Sequence, residues 1–166
     1  MKKAITTVAA ILLLAVSSFG QSGKSIYTKY SDAENVSAVF ISQAMFRMIG
    51  RIPELPVGDG KVDISPIIRS LTGFYLLDSD NMSINDAIRK DTERLVSDGK
   101  FNLLLEVKDD GERVHFYTVE KMDIITNLVM TSDEADEFVF ICLDGAIPKE
   151  KLEELLANPA ITGMIQ

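Results

Sequence analysis

The chain is poor in the residues that most often build metal centres and covalent cross-links. It has one cysteine, one histidine and no tryptophan. A single cysteine permits no internal disulfide, so packing alone must hold the core together. One histidine and one cysteine cannot assemble the usual four-ligand zinc sites within one chain. The lack of tryptophan also weakens the case for a carbohydrate-binding platform.

Common catalytic and nucleotide-binding motifs are absent as well. The sequence contains no G-x-S-x-G, P-loop, G-x-G-x-x-G or H-E-x-x-H pattern. No cofactor is expected, and no pair of carboxylates stands out for sugar hydrolysis. The sequence therefore favours a protein that is not an enzyme, although it leaves a hydrolase that uses carboxylates or a Glu106–His115 pair as an alternative.

The first twenty residues have the three parts of a secretory signal. Lys2 and Lys3 form a basic start, an apolar run follows, and Ser18-Phe19-Gly20 supplies small residues for cleavage. The apolar run is short for a membrane span. We predict a signal peptide over residues 1–20 and a single domain over residues 21–166. That domain is expected to be soluble, without a membrane span, and either periplasmic or secreted.

The predicted mature chain is strongly acidic. Cleavage removes Lys2 and Lys3 and takes the formal charge from −8 to −10. Such a chain repels phosphate backbones and anionic lipids, which argues against nucleic-acid and membrane-surface binding. Basic partners and divalent cations remain compatible with this charge.

A β-hairpin is predicted across residues 101–118. Asp110-Gly111 suits the positive φ angles of a two-residue type I′ turn. Period-two alternation predicts one buried face on its first strand, formed by Phe101, Leu103, Leu105 and Val107. The turn predicts three cross-strand pairs: Val107 with Val114, Leu105 with Phe116, and Glu106 with His115. The last pair is either a carboxylate that orients an imidazole for proton transfer or an ordinary cross-strand contact.

A second hairpin is predicted from about Ile124 to Leu143, with an acidic loop over residues 131–137. Its last strand, Phe138 to Leu143, is apolar without alternation, which is typical of a strand covered on both faces. Cys142 lies in this strand and is predicted to be a buried, inert thiol. A cysteine–histidine dyad would require Cys142 and His115 on adjacent strands.

Four helical or loop segments complete the prediction. A short strand from Ser37 to Ser42 leads into an apolar helix that stops at Gly50. Two prolines and two glycines predict a loop from Ile52 to Lys61. Amphipathic periodicity predicts a helix from Ile84 to Ser97, and Pro148 opens a terminal helix. Met45, Phe46 and Met48 on the first helix line either the core or a ligand pocket.

One stretch, residues 78–86, offers hard oxygen ligands suited to calcium. Asp78, Asp80 and Asn81 are the candidate ligands. The spacing does not match an EF-hand loop, which requires glycine at the sixth position and glutamate at the twelfth. A helix start explains the same residues, with Ser83 as the N-cap and Asp86 closing a capping box.

Three runs of sequence resemble a known family. They are VFISQAMFRMIG, LLLEVKDDGERVHFYTVEK and FVFICLDGAIPKEKLEEL. They are similar to the domain of unknown function 4252, a family of small exported proteins of the Bacteroidales type. The resemblance covers nearly all of the predicted mature chain. It implies export, a compact α+β domain and a non-enzymatic role, and it assigns no catalytic or binding residue.

These observations predict a single α+β domain with a mainly antiparallel sheet of about six strands and helices packed on one face. The leading function is that of an exported accessory or interaction protein of the bacterial envelope, whose partner is an envelope protein or a small molecule. A basic partner would meet the acidic surface of Glu106, Asp109, Asp110, Asp133, Glu134 and Asp136. A small-molecule-binding domain, with a pocket between sheet and helices, is the main alternative.

Overall fold

The computed structural model describes residues 22–49, 55–57, 60–62 and 65–156. Within these ranges the helices are α1 (Gly23–Tyr30), α2 (Gln43–Met48), α3 (Ser65–Ser70), α4 (Met82–Val96) and α5 (Lys149–Leu156). The strands are β1 (Val36–Ser42), β2 (Leu55–Val57), β3 (Gly60–Val62), β4 (Leu71–Ser79), β5 (Asn102–Asp109), β6 (Glu112–Lys121), β7 (Ile124–Asp133) and β8 (Phe138–Pro148). The predicted signal peptide and the predicted helix stop at Gly50 lie outside the described residues.

The main sheet has six strands in the order β1-β4-β8-β7-β6-β5, and every neighbouring pair is antiparallel. Strands β5 to β8 form a meander of consecutive hairpins, and β4 joins this meander through β8. The predicted α+β class and six-stranded antiparallel sheet are therefore confirmed. A separate two-stranded hairpin, β2 with β3, replaces the loop expected around residues 52–61. Strands of three residues are too short for alternation to be recognised in sequence.

The first predicted hairpin has the predicted turn and register. Asp110 and Gly111 have φ angles of 40° and 101°, as a type I′ turn requires. The three predicted cross-strand pairs are all present. Beyond Leu105, however, the register shifts between Leu103 and Leu105. Leu104 is the extra residue of a bulge, so Leu103 and Leu105 lie on opposite faces of the sheet rather than on the single buried face expected from alternation.

Two core clusters lie on opposite faces of the main sheet. On the first face, α1 and α4 cover a cluster whose buried sheet residues include Tyr75, Leu77, Val129 and Phe140. On the second face, Leu128 and Ile147 pack with Phe46 of α2, and Ile67 of α3 packs against the same cluster. The helices thus lie on both faces, in contrast to the one-face expectation. The reason is that the central strands β4 and β8 carry apolar side chains at both odd and even positions, so both faces need cover.

Helix α4 begins two residues earlier than predicted, at Met82 rather than Ile84. Asn81 is its N-cap and accepts a hydrogen bond from the backbone N–H of Ser83 at 3.1 Å. Asp86, expected to close a capping box, instead lies 2.5 Å from Nη1 of Arg89. Asparagine and serine are both good N-caps, so the choice between Asn81 and Ser83 depends on tertiary contacts. One such contact is the hydrogen bond that Asn81 Nδ2 donates to the Glu34 carbonyl at 2.7 Å.

Cys142 is buried in the first cluster as a free thiol. Burial raises the pKa of this thiol well above its ordinary value, and the nearby Asp144 carboxylate adds to the effect. Gly23, the first residue of α1, lies directly against it, since a Cβ at Gly23 would be 2.1 Å from Sγ. The close packing of α1 on β8 therefore depends on glycine at this position, and the thiol has the environment of an inert residue.

Candidate functional site

The second face of the sheet carries a continuous cross-strand row of apolar side chains. The pairing registers align one residue from each of the six strands: Val39, Leu76, Ile141, Met130, Phe116 and Leu105. We call these six residues the apolar row. Every member is aliphatic, aromatic or methionine, and together they extend from one edge strand of the sheet to the other.

No member of the apolar row is fully buried. Val39 and Leu105, at its two ends, are 44% and 39% exposed, and the four central residues are partly buried. By contrast, Leu77, Val129 and Phe140 on the opposite face are fully buried beneath α1 and α4. The described helices of the second face pack mainly around Ile125 and Ile147, toward one end of the sheet, and leave the row partly open.

The apolar surface continues on the side of the row away from these helices. The next aligned positions on the same face are Ser37, Asp78, Val139, Ser132, Val114 and Val107. Three of them are valines, and none of the six is fully buried. Monomeric proteins rarely expose contiguous apolar patches of more than a few hundred Å², and larger ones usually mark an interaction site.

Acidic residues gather at the end of the sheet next to this surface. The end of β4 brings Asp78 and Asp80 close to the loop between β7 and β8. The Asp78 carboxylate, with Glu134, Asp80 and Asp136, raises the pKa of Glu137, which indicates mutual repulsion among these carboxylates. The turn between β5 and β6 lies at the same end of the sheet and adds the predicted acids Asp109 and Asp110.

The remaining two residues of the predicted acidic surface are already engaged within the chain. Asp133 accepts hydrogen bonds from Nε and Nη2 of Arg89 at 2.9 and 2.5 Å. Glu106 lies 2.8 Å from Lys108 Nζ and 2.9 Å from His115 Nε2. Both contacts lower the pKa of Glu106, and the contact with Lys108 has the larger effect. Their charges are thus balanced locally, whereas Glu134 and Asp136 are exposed.

The Glu106–His115 contact predicted from the hairpin register is present, but the cysteine that a dyad requires does not accompany it. Cys142 lies on β8 whereas His115 lies on β6. Strand β7 separates these two strands, so the two side chains do not form a dyad. His115 stacks instead on Tyr117, with ring centroids 5.8 Å apart. The contact has the geometry of an ordinary cross-strand pair.

The other candidate residues are separated by the fold. Phe46 is buried in the second cluster, while Met45 and Met48 lie on the exposed side of α2. Asn81 acts as a helix cap, and Asp80 is exposed beside it. Within the described ranges, no group of three or more histidine, cysteine, aspartate or glutamate side chains is placed to hold a metal ion. The pocket and calcium assignments of these residues remain predictions.

Sequence reasoning did not find the apolar row. Its members come from six strands, and their alignment requires the strand order and every register. The signal available in the sequence was the apolar character of alternate residues in β6 and β7, where Phe116 and Met130 face away from the helices α1 and α4. That pattern indicates a face that needs cover, but not which part of the face stays open.

Comparison with known proteins gives one match. A family model described as Domain of unknown function (DUF4252) matches residues 30–155. The match covers most of the chain and confirms the resemblance carried by the three sequence runs. No curated protein and no solved structure matches the chain. Among the residues that the structure describes, no helix has the length and apolar character needed to cross a membrane.

Proposed function

We propose that this chain, which belongs to the family described as Domain of unknown function (DUF4252), is an exported accessory protein of the bacterial envelope that binds another protein. It acts through a surface rather than through a reaction. The observation that carries the proposal is the partly open apolar row across all six strands of the sheet. Its contact with water is unfavourable, and a partner that covers it gains the corresponding free energy.

The dimensions of the apolar row suit a helix. Six strands spaced by about 4.8 Å extend over about 24 Å. A helix rises about 1.5 Å per residue, so a segment of about 16 residues would lie along the whole row. Its apolar side chains would pack on residues such as Phe116 and Met130, as helices pack on an apolar sheet face elsewhere in proteins.

The acidic end of the sheet favours a partner that carries positive charge. Asp78 lies on the same face as Leu76, two residues further along β4, and Glu134, Asp136 and Glu137 are adjacent to it. A helix that carries lysine or arginine along one flank would relieve the repulsion among these carboxylates. The proposed partner is therefore a basic, amphipathic helical segment of another envelope protein.

A pair of designed peptides tests this proposal. One is an 18-residue amphipathic helix of leucine and lysine, and the other has glutamate in place of lysine. We expect the protein to bind the fluorescein-labelled basic peptide in an anisotropy titration and to ignore the acidic one. Affinity should fall as salt is raised, because part of the attraction is between exposed charges.

Variants of the apolar row separate specific docking from general attraction between opposite charges. Leu105→Ser and Val39→Ser change exposed residues and should leave the fold intact. Each should weaken binding about five- to tenfold, given about 25 cal/mol per Å² and some 40–55 Å² of lost contact. Met122→Ser is the matched control, since Met122 is 93% exposed on the distant β6–β7 turn.

Two outcomes would overturn the proposal. In the first, all three variants bind the basic peptide as the wild type does, which would show that binding depends on net charge and not on the apolar row. In the second, sedimentation shows a dimer that Leu105→Ser dissociates, which would make a second copy of the chain the occupant of the apolar row.

A further inference from the structure

A cleft of about 300 Å³ lies on the first face of the sheet, opposite the apolar row. One wall is a single side of α4, formed by Arg89, Thr92, Glu93 and Val96, which are spaced as one helical face requires. The other wall consists of alternate residues of β6 and β7 and one residue of β8, namely Arg113, His115, Tyr117, Thr131, Asp133 and Phe138. The cleft forms because α4 packs on β8 and leaves a space between its side and the side chains of β6 and β7.

The charged groups of the cleft fall into two classes. Arg89 donates two hydrogen bonds to Asp133 and also pairs with Asp86, and its guanidinium lies 5.3 Å from the centre of the Phe138 ring. Arg113 and Glu93 make no ion pair with any residue in the described ranges. They stand on opposite walls, one cationic and one anionic.

A buried hydroxyl in the same cleft lacks a partner. Thr92 is 4% exposed, and its Oγ1 makes no hydrogen bond with any part of the chain that the structure describes. A threonine hydroxyl in the middle of a helix usually bonds to a carbonyl one turn earlier. Buried polar atoms without partners are uncommon and unfavourable. Less than 1 Å² of this oxygen is accessible, so a bound molecule supplies the missing hydrogen bond only where the Thr92 side chain rotates toward the cleft.

We propose that this cleft binds a small zwitterion with a carboxylate and an ammonium group, of the size of an amino acid. Arg113 binds the carboxylate and Glu93 binds the ammonium, so each wall contributes a charged group that makes no ion pair within the described residues. Tyr117, which is partly exposed, offers aromatic surface for an apolar side chain. The site is independent of the proposed protein-binding function, because its residues lie on the other face of the sheet.

Three probes that share a phenyl ring dissect this recognition. L-Phenylalanine carries both charges, 3-phenylpropionate lacks the ammonium, and phenethylamine lacks the carboxylate. They are titrated into the ¹⁵N-labelled protein and followed by amide chemical shifts. L-Phenylalanine should give saturable shifts at the amides of Arg113, His115 and Thr92, and should bind at least about tenfold more tightly than either single-charge probe.

Two exposed substitutions assign the charges, and a third is the control. Arg113→Gln should weaken the binding of L-phenylalanine and of 3-phenylpropionate at least about tenfold. Glu93→Gln should instead remove the preference for L-phenylalanine over 3-phenylpropionate. Arg47→Gln, on the exposed side of α2, should change nothing. Unshifted cleft amides at saturating probe would overturn the site. Equal binding of all three probes, or an unchanged preference in Glu93→Gln, would overturn the zwitterion assignment.

Discussion

The carboxylate of Asp91 joins α1 to α4, and its replacement by alanine tests how the first face of the sheet is covered. Asp91 has a side chain that is 5% exposed. Its oxygens lie 2.6 Å from Lys29 Nζ, 2.8 Å from the Tyr30 hydroxyl and 3.1 Å from Arg94 Nη1. The partners differ greatly in burial, so their contributions to stability differ as well.

The expected effect of Asp91→Ala follows from these burials. Lys29 and Arg94 are mostly exposed, so solvent screens their ion pairs and each contributes at most about 1 kcal/mol. Tyr30 is buried, and leaving its O–H donor without an acceptor costs about 1–3 kcal/mol. Relief of the desolvation of Asp91 offsets part of this loss. We expect the free energy of unfolding to fall by about 2–3 kcal/mol, or roughly 5–10 °C in the midpoint.

Urea unfolding followed by circular dichroism measures this loss, and a second background isolates its main cause. In Tyr30→Phe, the hydroxyl is already gone, so Asp91→Ala should cost less than half as much as in the wild type. An equal loss in the two backgrounds would refute the assignment to Tyr30. A loss below about 0.5 kcal/mol in the wild type, the size of an ordinary surface substitution, would refute the role of the network.

Three further predictions concern the core. The buried Thr118 hydroxyl has no hydrogen-bond partner among the described residues, so Thr118→Val should raise the free energy of unfolding by about 1 kcal/mol. Thr126→Val should lower it, since that hydroxyl donates to the Val119 carbonyl at 3.3 Å. The pKa values of Tyr30, Tyr75 and Tyr117 are raised above the ordinary value of 10.0, and burial is the largest cause for each of them. The contribution of these neutral hydroxyls to the stability of the fold is therefore complete below pH 10 and is lost as pH rises through the folded-state pKa values. Raising the pH should thus destabilise the wild type more than it destabilises Tyr30→Phe. Finally, Gly23→Ala should destabilise the fold by about 1–3 kcal/mol through its clash with Cys142 and should speed the reaction of that thiol with a disulfide reagent.

Local chemistry made the first hairpin predictable from sequence. The Asp110-Gly111 turn fixes the register of the two strands, and this register pairs Glu106 with His115. The bulge at Leu104 could not be predicted in this way. It places Leu103 and Leu105 on different faces, although both remain exposed at the edge of the sheet. A bulge depends on the twist that neighbouring strands impose, which the pattern within one strand does not record.

The candidate surfaces depended on long-range order that the sequence does not specify. The acidic end forms because β4 pairs with β8, which brings Asp78 next to the loop that carries Glu134. These residues are more than fifty positions apart, and the strand order could not be predicted. The predicted charge of the chain indicated a basic partner, but only the fold locates the apolar row beside the acidic end.

Site-specific photo-crosslinking in cells tests whether another exported protein docks on the apolar row. Leu105→p-benzoylphenylalanine places a crosslinker at the exposed end of the apolar row, and Met122→p-benzoylphenylalanine places it on the distant turn. We expect an adduct from position 105 only, and mass spectrometry should map it to a basic, amphipathic helical segment of another exported protein. Equal adducts from both positions, no adduct from position 105, or an adduct with a second copy of the chain would refute docking of such a partner on the apolar row.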